Sequence, residues 1–133
     1  MKKIVILIPV FNDWESLKKL LSEVNENVSN FKEIHFECLI VNDSSTIEQP
    51  NLTRPSNIKS FEILNMKENR GHARCNAFGI RHVFQKKDFD YLILMDGDGE
   101  DRPIEIKSLI EAINNKPTVS AVAKRVKRSE GPF

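Results

Sequence analysis

The chain has 133 residues and a formal charge of +1. That length allows about one domain, and that balance removes any global pull toward nucleic acid or an acidic surface. The longest apolar run, Ile4 to Phe11, contains a proline and falls far short of the roughly 20 residues a membrane-spanning helix needs.

The run follows Lys2 and Lys3, as a signal peptide would. It continues into Asn12-Asp13-Trp14-Glu15 with no small-residue cleavage site, so it reads as a first strand. Residues 3–10, 35–41, 59–65 and 90–95 read as buried strands, with 118–123 a weaker fifth. Three of them are near-continuous apolar runs, the pattern of a parallel sheet covered on both faces. Helical patterns lie between them. Leu17, Leu20, Leu21, Val24 and Val28 share one face, and Asn12 with Glu15 resembles a capping box. After Gly71, the residues Ala73, Ala77, Ile80 and Phe84 recur at helical spacing. Pro103 suits a first helical turn, followed by a stripe of Ile106, Leu109, Ile110 and Ile113. Residues 43–58, with Pro50 and Pro55, read as a loop. Cys38 and Cys75 match no metal or redox spacing and read as reduced core thiols. His35, His82 and Trp14 read as structural.

Alternating strands and helices imply right-handed crossovers and a doubly wound, mostly parallel α/β sheet spanning residues 1–133 as one domain. Such sheets bind ligands at the carboxyl ends of their strands. The polar residues after the strands are therefore expected to converge: Asn12 and Asp13; Asn42, Asp43 and Ser44; Asn69 to Arg74; and Asp96 to Asp101.

The last of these groups is the most unusual. Residues 96–101 read Asp-Gly-Asp-Gly-Glu-Asp, and buried like charges are costly without a compensating cation. An EF-hand calcium loop needs Gly at its sixth position and Glu at its twelfth; counted from Asp96, those are Asp101 and Lys107. A haloacid-dehalogenase-type phosphatase carries Asp-x-Asp after its first strand, followed by Thr or Val; here it follows the fourth, and Glu100 stands at that place. A dinucleotide fold needs Gly-x-Gly-x-x-Gly after strand one, where this chain has Pro9-Val10-Phe11-Asn12-Asp13-Trp14. There remains a site for Mg²⁺ or Mn²⁺ carrying a diphosphate, because hard cations take oxygen ligands. Gly97 and Gly99 would let the backbone turn sharply between the carboxylates. A solvated acidic turn that caps the next helix is the competing reading. It suits Asp101 at a helix start; for Asp96 and Asp98 both stay open.

Taken in order, these segments resemble a family 2 glycosyltransferase with a GT-A nucleotide-sugar-binding domain. Val5 to Asp13 resembles the opening strand with its Pro-x-x-Asn-Asp/Glu ending. Leu39 to Ser45 resembles the Asp-Asp-x-Ser element, with Asn42 in place of the first Asp. Asn69 to Ile80 resembles the Asn-x-Gly-His/Lys segment, Leu94 to Pro103 the Asp-x-Asp element, and Ala123 to Gly131 a basic stretch. The nearest branch is that of the dolichyl- and polyprenyl-phosphate sugar transferases.

The resemblance implies that Pro9, Asn12, Asp13, Asn42, Asp43, Gly71, Arg74, Asp96 and Gly97 surround a nucleotide-diphosphate sugar. Asp13 and Asp43 would meet the base or ribose. Asp96 and Asp98 would hold Mg²⁺ or Mn²⁺, with Asp98 the residue closest to catalysis, and His72 would support the site. Lys124, Arg125, Lys127 and Arg128 would meet the acceptor's phosphate or an anionic membrane, and a solvated charged tail is the alternative. The protein is then expected to work in the cytoplasm, peripherally at the inner face of the cell membrane, with no nucleic-acid partner. GT-A domains of this family run longer, and the chain stops at Ser129 to Phe133, so it is expected to be the donor half, incomplete at its carboxyl end. A non-catalytic nucleotide-sugar-binding module and a metal-dependent phosphatase or nucleotidyl enzyme are the rival functions.

Overall fold

The computed structural model describes residues 2–95, 103–114 and 123–126. They form β1 (Lys2–Val10), α1 (Trp14–Val28), β2 (Ile34–Asn42), β3 (Ser60–Asn65), α2 (His72–Lys86), β4 (Tyr91–Met95), α3 (Pro103–Asn114) and β5 (Ala123–Val126). The strands make one five-stranded sheet in the order β3-β2-β1-β4-β5, and every pairing is parallel. This is the α/β doubly wound arrangement expected. β1 lies at the centre, which is why its run is apolar on both faces.

Alternate residues of β1 serve the two faces. Ile4, Ile6, Ile8 and Val10 join α1 and α3 in the larger core, with Tyr91, Ile93, Ile110 and Ile113. Val5 and Leu7 join Cys75 and Val83 of α2 in the smaller one. Pro9 is buried within β1, in register with Val41.

The α1 stripe from Leu17 to Val28 is buried as expected. Its start differs from expectation. Asp13, not Asn12, is the N-cap, its Oδ1 accepting from Ser16 N at 3.3 Å. Asn12 is diverted to the turn before it.

The α2 face also differs. Ala73, Ala77 and Phe84 are exposed, and the buried positions are Cys75, Asn76, Gly79 and Val83. Gly79 decides this. A Cβ there would lie 2.5 Å from Leu7 Cδ1 and 2.9 Å from Val41 Cγ2, so only glycine lets the helix sit this close to the sheet. Phe84 instead packs edge-on against Phe89, ring centres 5.1 Å apart.

The fifth strand occupies 123–126; residues 118–122 of the expected strand lie outside the described residues. Lys124 and Arg125 fall on this strand, in register with Ile93 and Leu94. Lys127 and Arg128 lie outside the described residues.

Cys38 and Cys75 are free and buried. Burial pushes the Cys38 thiol up to about 12, and burial together with the charge of Asp43 does the same to Cys75. Both are inert thiols near neutral pH. His35, His82 and Trp14 have structural partners, as expected: Glu37, Glu62 and the Ile47 carbonyl.

Two of those partners belong to a charge network at the C-terminal end of α2. Lys87 Nζ lies 3.3 Å from Glu37 Oε1 and 3.2 Å from Glu62 Oε1. Burial alone would raise the Glu62 pKa, but Lys87 and His82 outweigh it and hold the carboxyl below its usual 4.5. A carboxylate with a lowered folded pKa contributes stability above its unfolded pKa and loses it as the pH falls through the folded value. The acid limb of the stability curve is therefore expected to include a Glu62 component that begins near pH 4.5. Urea midpoints measured from pH 7 down to pH 3 are expected to fall less steeply for Lys87→Gln than for the parent. Parallel curves would remove Lys87 as the cause.

Candidate donor site

At the carboxyl edge of the sheet, the turns after β1 and β2 and the start of α2 have positive φ. Asn12 follows β1 at φ 64°, Ser44 follows β2 at φ 57°, and Gly71 precedes α2 at φ 85°. Positive φ is strained for a residue with a Cβ, least so for Asn. Asp13 N donates to Phe11 O at 2.8 Å across Asn12, which makes this the rarer, strained form of γ-turn. Such strain persists only where surrounding contacts over-determine it, and it gathers at ligand sites.

Those contacts are present. Asn12 Oδ1 accepts from Thr46 N at 2.7 Å and Ile47 N at 2.8 Å, and Asn12 N donates to Ser45 Oγ at 2.9 Å. One side chain thereby ties the β1 turn to the loop after β2. Asn42 supports the same loop, its Oδ1 accepting from Ser45 N at 3.0 Å, while its Nδ2 donates to Asn65 Oδ1 at 2.9 Å. An aspartate at position 42 would keep the first contact and reverse the second, with Asn65 Nδ2 donating to the carboxylate.

Asp43 forms the second tie. It is 1% exposed. Its Oδ1 accepts from Arg70 N at 2.8 Å and its Oδ2 from Gly71 N at 2.9 Å, and Asn69 Nδ2 reaches the Asp43 carbonyl at 3.2 Å. The carboxylate clasps the loop that opens α2. Each of its oxygens has acceptor capacity left.

The structure thus brings Pro9, Asn12, Asp13, Asn42, Asp43 and Gly71 to one rim. Arg74 is exposed one turn into α2, beside Met66 and Phe78, on the side of the helix that faces the β3 edge. Asp96, Gly97, Asp98 and Asp101 lie outside the described residues. Asp96 directly follows Met95, the last residue of β4, whose strand lies between β1 and β5. Among the described residues no group of three His, Cys, Asp or Glu is arranged to hold a metal. The two expected ligands, Asp96 and Asp98, would offer carboxylate oxygens, the hard donors that suit Mg²⁺ or Mn²⁺. No described helix is long and apolar enough to cross a membrane.

Sequence reasoning missed two of the rim's supports, Thr46 and Asn65; Ser45 and Arg70 lay within the segments it named but were given no tie of their own. It also missed Asn76, 7% exposed, whose Oδ1 has no hydrogen-bond partner among the described residues. A buried orphan acceptor is uncommon. A polar residue within an otherwise small-residue stretch was its only advance sign.

The family model for Glycosyl transferase family 2 matches residues 5–133. The chain belongs to that family. Its five-stranded parallel sheet with helices on both faces is the GT-A architecture. Among curated proteins, the chain is 28% identical over 109 residues to the undecaprenyl-phosphate 4-deoxy-4-formamido-L-arabinose transferase of Proteus mirabilis (strain HI4320). It is 27% identical over 113 residues to the protein of the same name from Klebsiella pneumoniae (strain 342). These alignments cover 81% and 83% of this family 2 chain, but 32% and 33% of the relatives. The chain therefore spans about a third of the length of the curated relatives it matches.

Proposed function

We propose that this domain binds the donor for a metal-dependent glycosyl transfer from a nucleotide-diphosphate sugar to a polyprenyl phosphate, at the cytoplasmic face of a membrane. The observation that carries this reading is the rim itself. Two strained turns, at Asn12 and Ser44, and the Gly71 turn that Asp43 clasps gather at the carboxyl end of a parallel sheet, in a chain whose relatives are named for undecaprenyl-phosphate sugar transfer.

In this reading the buried Asp43 carboxylate fixes the Asn69–Gly71 loop that meets the base or ribose. The clasp sets the loop's shape before the donor arrives. Preorganisation of that kind reduces the ordering cost of binding. Asp13 adds a second carboxylate at the start of α1. Asp96 and Asp98 hold the cation, which as a Lewis acid would stabilise the departing diphosphate. A phosphate acceptor is largely ionised near neutral pH, its second pKa being about 6. Its oxygen attacks without a general base, so the domain's task is positioning and charge neutralisation.

The test is a thermal-shift series with UDP-, GDP- and dTDP-sugars, each with and without Mn²⁺. One base is expected to raise the melting temperature in a metal-dependent way, by mass action on the folded state. A flat response to every donor would reject the reading. Release of inorganic phosphate from simple esters would favour a phosphatase instead.

A further inference from the structure

The outer side of α2 carries a feature the donor site does not use. Arg70, Arg74 and Arg81, with Met66, Ala77 and Phe78, line a shallow groove of about 310 Å³. Positions 74, 77, 78 and 81 follow helical spacing, so they share one face. Arg70 is held by Glu68 at 3.0 Å. Among the described residues, neither Arg74 nor Arg81 lies within ion-pair distance of a carboxylate. Phe78 sits between them, 40% exposed. The groove faces the β3 side of the helix, where Met66 extends the pairing of β3 by donating to Asn42 O at 2.9 Å.

We propose that this groove is a docking surface for an anionic phospholipid membrane, with the guanidinium groups on headgroup phosphates and Phe78 inserted at the interface. Guanidinium forks match phosphate oxygens better than ammonium groups do. An exposed aromatic ring flanked by arginines is the arrangement of an element lying in the headgroup plane. A membrane enters because the transferase reading above puts the acceptor there. Arg74 thereby has a role on the membrane side rather than on the donor.

The experiment is co-sedimentation of the protein with vesicles of phosphatidylcholine, alone or mixed with phosphatidylglycerol. Binding is expected only with phosphatidylglycerol, and it is expected to weaken with salt. Each arginine lost is expected to weaken partitioning about fivefold, so Arg74→Gln with Arg81→Gln should lower it about 25-fold. Phe78→Ala should weaken binding without changing its salt dependence. Both variants replace exposed residues, and unchanged thermal melting checks that they fold.

Equal binding to phosphatidylcholine alone would overturn the proposal. So would full retention in the double arginine variant, with loss only when Lys124, Arg125, Lys127 and Arg128 are changed to Gln. Displacement by millimolar inorganic phosphate at matched ionic strength would make the groove a soluble-phosphate site and also overturn it. Donor binding, measured separately by calorimetry, is expected to be unchanged in Arg81→Gln alone and in Phe78→Ala. A protein that binds vesicles but no donor would sink the transferase reading alone.

Discussion

Replacing Asp98 with Ala is expected to reduce nucleotide binding in Mn²⁺ to the level found in EDTA. β4 pairs with β1 as far as Leu94 and with β5 as far as Met95, so the strand that precedes Asp96 ends beside the central strand. In the proposed reading, Asp96 and Asp98 would repel each other as two carboxylates and gain only when a cation joined them to the donor's diphosphate. Charge stabilisation of that kind is worth several kcal/mol, and the expected loss is on the order of a hundredfold or more in affinity. Stability of the unliganded protein should hold or rise, because one repelling charge is gone. Calorimetric titration with the preferred nucleotide decides it. Unchanged affinity in Mn²⁺ would sink the assignment of Asp98 to the metal.

Asp43→Ala is expected to act twice. The carboxylate accepts from Arg70 N and Gly71 N, and hydrogen bonds to a charged group contribute about 1.5–3 kcal/mol each. Losing both should cost roughly 3 kcal/mol or more of stability, before any effect on ligand. Nucleotide binding should weaken by about 1–3 kcal/mol besides, since the loop no longer holds its shape. Asp43→Asn keeps one acceptor and should fall between. Denaturant unfolding and calorimetry read the two effects separately. An alanine variant as stable as the parent would mean that the clasp carries no load.

The layers of this fold were legible because their signals are local. Near-continuous apolar runs marked the central strands, and Leu17 to Val28 marked α1 by spacing alone. The α2 face was misread because burial there follows size, not hydrophobicity: Gly79 faces the sheet since a Cβ there would collide with Leu7 and Val41, and the small Cys75 is buried on the same layer. Asn12 and Asp13 are both good capping residues, and nothing local says which one a strained turn will claim. The rim's convergence followed from topology, whereas its ties did not. Asp43 meets a loop 27 residues away, and Asn12 meets one 34 residues away. Contacts at that range exist only after β1, β2 and β3 are in register.

Among the described residues, the two faces of the sheet are unequally covered. One holds α1 and α3 over most of the buried side chains; the other holds α2 over a few. Local opening follows the number of apolar groups exposed, so the α2 layer lifts from the sheet at lower free energy than the rest unfolds. Its lifting would also release the Asp43 clasp, since that loop leads directly into the helix. Amide protons of α2 would then exchange ahead of those of α1, and a ligand on the rim would slow them without touching the helix. Site occupancy and the order of one helix become two readings of a single equilibrium.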